Sequence, residues 1–332
     1  MRLLVTGGCG FIGSNFIRLV LDEHPEDEIL NLDKLTYAGN PENLRDVEEN
    51  PRYRFQKGDI CEEGDVREAF AWGPEAVVNF AAETHVDRSI ASPEAFVRTD
   101  VLGTYRLLEA TRARGARFVQ ISTDEVYGSI AEGSFSEESP LRPNSPYAAS
   151  KAGADLLVRA YVRTYGLDAV IVRSSNNYGP YQYPEKVIPL FVTNLLEGRK
   201  VPLYGEGRNV RDWLYVEDNC RAIDLVLRSG RAGEAYNAGA GQEKTNLELT
   251  RAILEMMGAG EESIRFVPDR PGHDLRYSID SSRLRELGWA PRYDFATGLR
   301  ETVDWYRDHP AWWRPIKSGE FRRYYLERYG DI

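Results

Sequence analysis

Arg2-Leu3-Leu4-Val5-Thr6-Gly7-Gly8-Cys9-Gly10-Phe11-Ile12-Gly13 decides the fold. Residues 2–6 are a short apolar run of strand length, and residues 11–21 repeat their apolar side chains at helical spacing. Two glycine registers fit between them. Gly8, Gly10 and Gly13 read as G-x-G-x-x-G, and Gly7, Gly10 and Gly13 as G-x-x-G-x-x-G. Missing side chains permit a tight turn and let a pyrophosphate approach the N-terminus of the helix that follows. A glycine pattern alone is a weak signal. Here a strand precedes it, a helix follows it, and Asp33 closes the next strand 20 residues beyond Gly13. A carboxylate at that distance can accept from ribose hydroxyls. It would repel a 2′-phosphate, so NAD is expected over NADP, although the neighbouring Lys34 works against that choice.

Outward from this turn the chain alternates strand and helix. Residues 28–32, 53–56, 76–80, 118–122 and 169–173 read as further strands. Residues 62–70, 94–114 and 147–165 read as helices. Such alternation implies parallel βαβ units, an α/β fold with a doubly wound, Rossmann-type sheet. Beyond Asn177 the pattern loosens, broken by Pro180, Pro184, Pro189 and Pro202. The expected division is a dinucleotide-binding domain over 1–175 and a smaller, mixed α/β substrate lobe over 176–332. Residues 216–227 and 235–238 are expected to return to the main sheet. Asp59-Ile60 follows the third strand, where an adenine edge sits in this fold. Ala81 and Ala82 follow the fourth and leave room for a cofactor. His85 beside them reads equally as a hydrogen-bonded loop histidine or a substrate contact.

Composition narrows the function. A chain of 332 residues with 42% apolar and 28% charged residues has ample core for one large or two moderate domains. Its net charge of −10 argues against a nucleic-acid or anionic-membrane surface. Cys9, Cys61 and Cys220 are scattered, as are His24, His85, His273 and His309, so neither a disulfide framework nor a metal site is expected. The first strand starts almost at Met1, so no signal peptide is expected. No apolar run approaches the ~20 residues of a membrane span, and the cytoplasm is the expected location.

The chemistry lies in Thr123-Asp124-Glu125, followed by Tyr147 and Lys151. A Tyr four residues before a Lys on a helix puts both side chains on one face, one turn apart. There the ammonium favours the phenolate and is expected to lower the phenol's pKa. A free phenol titrates near ~10, so bringing it to neutrality needs about 4 kcal/mol of differential stabilisation. Neighbouring carboxylates such as Asp124 and Glu125 suit acid–base work if their pKa values are split. Lys186, Arg211, Arg270 and His273 are candidates to meet an anionic ligand locally, with Arg suited to bidentate phosphate contact. Arg300, Trp305, Trp312 and Trp313 read as packing residues.

Taken together, the Gly7–Gly13 turn and the Tyr147/Lys151 pair resemble the extended short-chain dehydrogenase/reductase superfamily over nearly the whole chain. Within it, Thr123-Asp124-Glu125-Val126-Tyr127-Gly128 is similar to the signature of the dTDP-glucose 4,6-dehydratases. So are residues 81–89, Asn176-Asn177-Tyr178-Gly179-Pro180-Tyr181-Gln182, Arg211-Asp212-Trp213 and Asp269-Arg270-Pro271-Gly272-His273. The resemblance implies that C4 of a nucleotide hexose is oxidised, water is lost from C5 and C6, and the stored hydride returns to C6. It assigns Tyr147 as the base at C4, Lys151 as its partner and a ligand of the nicotinamide ribose, and Thr123 as a hydrogen-bond partner of the phenol or the substrate oxygen. Glu125 is then the base at C5 and Asp124 the acid at C6. Phe11, Ile12, Lys34, Thr36, Ile60, Thr99 and Asn177 join the cofactor surface. His85, Asn176, Glu185, Lys186, Pro202, Tyr204 and Asn246 line the sugar-nucleotide pocket. dTDP-glucose is the expected partner, and a homodimer through the helices beginning near Glu94 and Pro146 is the expected assembly.

One stretch departs from the family. Thr99-Asp100-Val101-Leu102-Gly103-Thr104 carries Asp where relatives usually have Asn, a residue linked to helix geometry and to a water-mediated path to the Lys. Asp can still accept from water but adds a negative charge. Three readings accommodate the sequence: the dehydratase, an NAD-dependent nucleotide-sugar 4-epimerase that would not need Asp124 and Glu125 as an elimination pair, and a nucleotide-binding regulator without chemistry.

Overall fold

The central apolar strands are buried on both faces, and their alternation shows how. In the computed structural model, which describes residues 1–269 and 273–330, Leu3 and Val5 of β1 (Arg2–Thr6) pack on one side of a sheet and Leu4 on the other. Side chains along a strand alternate between faces, so a run buried on both sides is apolar at every position. The remaining strands of this sheet are β2 (Glu28–Asp33), β3 (Tyr53–Lys57), β4 (Ala76–Asn79), β5 (Arg117–Thr123) and β6 (Ala169–Ser174), joined by a later strand, Ala235–Ala238. All pair in parallel, in the order Ala235–Ala238, β6, β5, β4, β1, β2, β3. The order reverses between β1 and β4, and a crevice opens at the carboxyl ends of the strands there.

Helices cover both faces. The helix α1 (Phe11–Glu23) packs its Phe16, Ile17 and Val20 into one core. On the opposite face lie α2 (Glu63–Ala71), the short α3 (Val86–Ala91) and α4 (Pro93–Phe96), α5 (Thr104–Arg114) and α6 (Pro146–Tyr165). The single helix expected over 94–114 is interrupted: Val97–Gly103 is wound as a wider π-type turn, with Asp100 buried inside it. Ser145 caps α6 by accepting from Ala148 N at 3.1 Å, Pro146 fits the first turn, and Gly166 (φ +67°) ends it. This start fixes Tyr147 in the first turn and Lys151 one turn below.

The rest of the chain builds a second core. It contains β7 (Asn176–Tyr178), α7 (Val187–Leu196), β8 (Val201–Tyr204), β9 (Val210–Tyr215), α8 (Val216–Ser229), β10 (Ala235–Ala238), β11 (Glu243–Thr245), α9 (Asn246–Met257) and β12 (Ile264–Val267). After these come α10 (Ser282–Glu286), α11 (Phe295–Asp308), α12 (Pro310–Ile316) and α13 (Glu320–Tyr329). Strands β11, β9 and β7 form one small sheet, and β12 and β8 a parallel pair. α8 and β10 return to the large sheet: Ile223, Val226 and Ala238 join the core of α1. Trp313 is fully buried, and Trp312 packs on Trp305 and donates to Asn43 Oδ1 at 2.8 Å. No helix among the described residues is long and apolar enough to cross a membrane.

Candidate active site

One cleft of about 420 Å³ runs along the carboxyl ends of β1, β2, β4 and β5 and continues between β7, β8 and α7. Every site residue expected from the sequence lines it except Arg270, which lies outside the described residues.

At one end sits the glycine turn. Gly7 has φ +69°, and a Cβ there would stand 2.6 Å from Ala81 N. A Cβ on Gly13 would stand 2.6 Å from Gly7 O. Both obstacles are backbone, so neither glycine can be replaced without moving the turn. Gly7, Gly10 and Gly13 face the cleft, whereas Gly8 turns away and donates to Asn31 Oδ1 at 3.0 Å. The structure therefore selects the Gly7-Gly10-Gly13 register. Gly10, with no side chain to cap the helix, leaves the first N–H groups of α1 directed at the cleft. Asp33 is buried beside the turn and accepts from Leu35 N (2.7 Å) and Cys9 N (2.9 Å). Burial pushes its carboxyl up and these two N–H groups pull it back. Lys34 is engaged by Asp59 at 2.7 Å, which holds the Asp59 carboxyl below its ordinary range against the effect of burial. Thr36, Ile60, Ala81, Ala82, Thr99 and Asn177 complete this half of the cleft.

In the middle, β5 delivers the reactive side chains. Thr123 ends the strand and caps a 3-10 turn, Asp124–Tyr127, by accepting from Glu125 N at 3.2 Å. Its hydroxyl donates to Asp124 Oδ1 at 3.2 Å. The other Asp124 oxygen is buried in the cleft wall with no hydrogen-bond partner among the described residues. Burial above all, then the charge of Glu125, pushes the Asp124 carboxyl up to about 8, with Arg211 pulling the other way. Asp124 is thus neutral below that pH.

Tyr147 and Lys151 face this turn from α6, but not with the electrostatics expected from their spacing. The Lys151 ammonium donates to Ile121 O at 2.7 Å and faces the carboxylate of Asp100. The Tyr147 phenol is raised well above its ordinary value by burial, then by the charges of Glu125 and Asp100, while a hydrogen bond with Thr123 lowers it. Burial is the largest of these effects, and the neighbouring acidic groups add to it.

At the far end, Lys186 Nζ donates to Thr84 O at 2.7 Å and Glu185 is buried against Arg88 at 3.3 Å. Burial pushes the Glu185 carboxyl up. Tyr204 donates to Asp87 Oδ2 at 3.2 Å and lies 3.1 Å from the Tyr329 hydroxyl. Arg211 is anchored by its own backbone surroundings, donating to Val210 O (2.7 Å) and Asp274 O (2.9 Å) with its plane over Tyr277. His273 pairs with Asp269 at 2.6 Å. Asn176, Pro202 and Asn246 line the wall, and His85 enters it from the N-terminus of α3. Sequence reading assigned no role to Glu83, Thr84, Asp87, Tyr183 and Tyr329, which line the same cleft. Glu83, Thr84 and Tyr183 sit in loops with no periodicity to mark which side chains turn inward, and Asp87 and Tyr329 lie in the first turn of α3 and the last turn of α13.

Comparison with known proteins agrees with this arrangement. A family profile described as GDP-mannose 4,6 dehydratase matches residues 4–302. The dTDP-glucose 4,6-dehydratase of Streptomyces niveus is 59% identical over 324 residues, 96% of each chain. A crystal structure of the dTDP-glucose 4,6-dehydratase of Streptomyces venezuelae with NAD bound superposes with a TM-score of 0.93 at 57% identity, covering 96% of this chain and 100% of that one. The NAD complex of a Thermus thermophilus UDP-glucose 4-epimerase superposes with a TM-score of 0.86 at 36% identity, covering 93% and 100%. The chain belongs to the GDP-mannose 4,6 dehydratase family.

Proposed function

We infer that this chain is an NAD-dependent hydro-lyase that converts dTDP-glucose to the 4-keto-6-deoxy nucleotide sugar. The observation that carries the reading is Asp124. It is a buried carboxyl pushed up to about 8, with one oxygen unpartnered in the cleft wall, next to a second carboxyl and a Tyr/Lys pair. An epimerase has no use for such an acid. The names of the S. niveus and S. venezuelae relatives support the nucleotide and the sugar.

NAD fits the glycine end. The turn has no side chain to obstruct a pyrophosphate, and Asp33 keeps lone pairs for ribose hydroxyls. Asp59 already engages the Lys34 ammonium, which supports NAD over NADP. Bound NAD supplies the acceptor for the hydride from C4 and gives it back at C6. The chain's own residues move the protons. Tyr147, as phenolate, takes the proton of the C4 hydroxyl, positioned by Thr123 and Lys151. The new ketone acidifies C5–H; Glu125 removes that proton and gives it back to C5 when the hydride reaches C6. Asp124 delivers its proton to the departing C6 hydroxyl. Each of these acid–base roles contributes about 10²–10⁴ in rate.

Residues 1–175 hold the cofactor and 176–332 mainly the nucleotide sugar, with α8 and β10 shared. Lys186, Arg211 and His273 serve the pyrophosphate end, with Arg270 assigned there from its sequence position; His85, Asn176, Glu185, Pro202, Tyr204 and Asn246 line the sugar-nucleotide pocket. Val97 and Tyr105 on one helical stretch and Leu156 and Tyr165 on α6 are exposed apolar side chains. They support a homodimer through these helices, an assembly that sedimentation would reveal. An enzyme of nucleotide-sugar supply belongs in the cytoplasm. The deciding assay incubates the protein with dTDP-glucose and UDP-glucose, without added reductant. A 4-keto-6-deoxy product from dTDP-glucose is expected, and a C4 epimer with no loss of water would refute the reading.

A further inference from the structure

We propose that Asp100 is a positioning residue that, through its hydrogen bonds and the charge it sets beneath Lys151, fixes the pH range over which Tyr147 works as a base. The proposal rests on the assignment of Tyr147 above.

The geometry is specific. Asp100 lies in the π-type turn Val97–Gly103 with its side chain 1% exposed. Its Oδ2 accepts from Ser150 Oγ at 2.5 Å and its Oδ1 from Glu83 N at 3.2 Å. The same Ser150 hydroxyl also lies 2.8 Å from Tyr147 O. One carboxylate therefore ties three segments together: the π turn, the loop after β4 that walls the cleft, and the first turn of α6. Ser150 stands between Tyr147 and Lys151 in sequence, so the clamp holds the very turn that carries both.

An Asn could make the same contacts. Its carbonyl would accept from Glu83 N, and its amide would donate to Ser150 Oγ, whose hydroxyl hydrogen would then turn to Tyr147 O, 2.8 Å away. What Asp adds is charge. The charged and titratable groups facing it are Lys151 and Tyr147 on α6 and Glu83 from the loop after β4. Glu125 and Asp124 act on the same phenol from the turn after β5, and Lys34 and Arg88 act on Glu83. Lys151 is the cation that favours ionised Asp100, and Asp100 in turn opposes ionisation of Tyr147. Burial pushes the Asp100 carboxyl up to about 6, so its charge develops just below neutrality. As pH rises through that value, the ammonium of Lys151 gains a counter-ion and the phenol becomes harder to ionise. Asp100 thereby holds the working range of Tyr147 at higher pH than an Asn would.

The test compares wild type, Asp100→Asn and Asp100→Ala as holoenzymes. Turnover and KM are measured against pH, and the tyrosinate absorbance of Tyr147 is titrated as the difference from Tyr147→Phe in each background. Asp100→Asn should keep its KM within two-fold and, at neutral pH, melt no lower than wild type, since it has no buried charge to form. The acid limb of kcat and the tyrosinate transition should both move to lower pH by about one unit. Asp100→Ala, which loses the clamp, should lower kcat by about 10-fold at every pH. Asp100→Asn profiles that superimpose on wild type, or move to higher pH, would overturn the proposal. Because the absorbance titration needs no turnover, it decides the question even if the wild type forms no 4-keto product, an outcome that would sink the functional reading separately.

Discussion

Asp124→Asn should make the protein more stable at neutral pH and stop its reaction halfway. An Asp in the unfolded chain ionises near the ordinary 3.8, whereas in the folded chain Asp124 keeps its proton to about 8. Between those values the folded state binds one more proton than the unfolded state. Stability from this group is therefore fully present below about pH 4 and declines as pH rises, by about 1.4 kcal/mol per unit, until about pH 8. At pH 7 roughly three units have been crossed, about 4 kcal/mol as a ceiling. Local relaxation and entry of water into the cleft reduce this, and about 2–4 kcal/mol is expected. The Asn variant never ionises, keeps the size of the side chain, and still accepts from Thr123. Its advantage over wild type should grow from near zero at about pH 4 to a plateau above about pH 8. Urea denaturation of both proteins across that range, at equal cofactor saturation, measures it. The same variant should still oxidise C4 and exchange the C5 proton with deuterated solvent, while loss of water slows by about 10²–10⁴. A stability difference that is flat with pH, or elimination at the wild-type rate, would refute the reasoning.

Three other substitutions probe the rest of the cleft. Tyr147→Phe should reduce turnover by at least about 10²-fold and leave nucleotide-sugar affinity within a few-fold, since the phenolate acts in the transition state; isothermal titration alongside the product assay separates the two. Glu125→Gln should block both C5 exchange and elimination yet still let the absorbance of the reduced cofactor appear, as stopped-flow mixing with substrate would record. Gly13→Ala places a methyl group 2.6 Å from Gly7 O, so the purified variant should carry much less NAD than wild type when both are extracted with acid and quantified; equal cofactor content would show that the turn can give way.

Much of this was legible in the residues because each signal had a local cause. The turn after β1 announces itself because only glycine avoids the backbone at Gly7 and Gly13, yet the register stayed ambiguous. Gly8 is constrained instead by the side chain of Asn31, a long-range contact that a glycine pattern does not encode. Strand positions followed from short, largely apolar runs alternating with helical periodicity. The helix over 94–114 was read as regular because its side chains keep helical spacing, while the π turn depends on how Asp100 is bound from Ser150 and Glu83, far away in sequence. Tyr147 and Lys151 were placed correctly one turn apart, and their mutual electrostatics were not. Spacing brings in one cation, but only the fold shows that Asp100, Asp124 and Glu125 converge on the same phenol.

That convergence exposes a conflict built into the chemistry. Elimination needs a carboxylic acid beside a carboxylate, and oxidation needs a phenolate within reach of both. Every negative charge that serves the second step opposes the first, since like charges in a buried site raise one another's pKa. Keeping Asp124 protonated removes one of the opposing charges, so its burial serves oxidation as well as elimination. Lys151 offsets another, but its ammonium is shared with Ile121 O and Asp100. An oxidised nicotinamide held in this cleft would bring a positive charge that offsets part of the remainder. Binding and ionisation are then linked: a cofactor that favours the phenolate must itself be held more tightly by the ionised site than by the neutral one. An enzyme wired this way gains from never releasing its NAD between turnovers, and the glycine cradle, the paired Lys34 and the buried Asp33 supply the cleft in which to keep it.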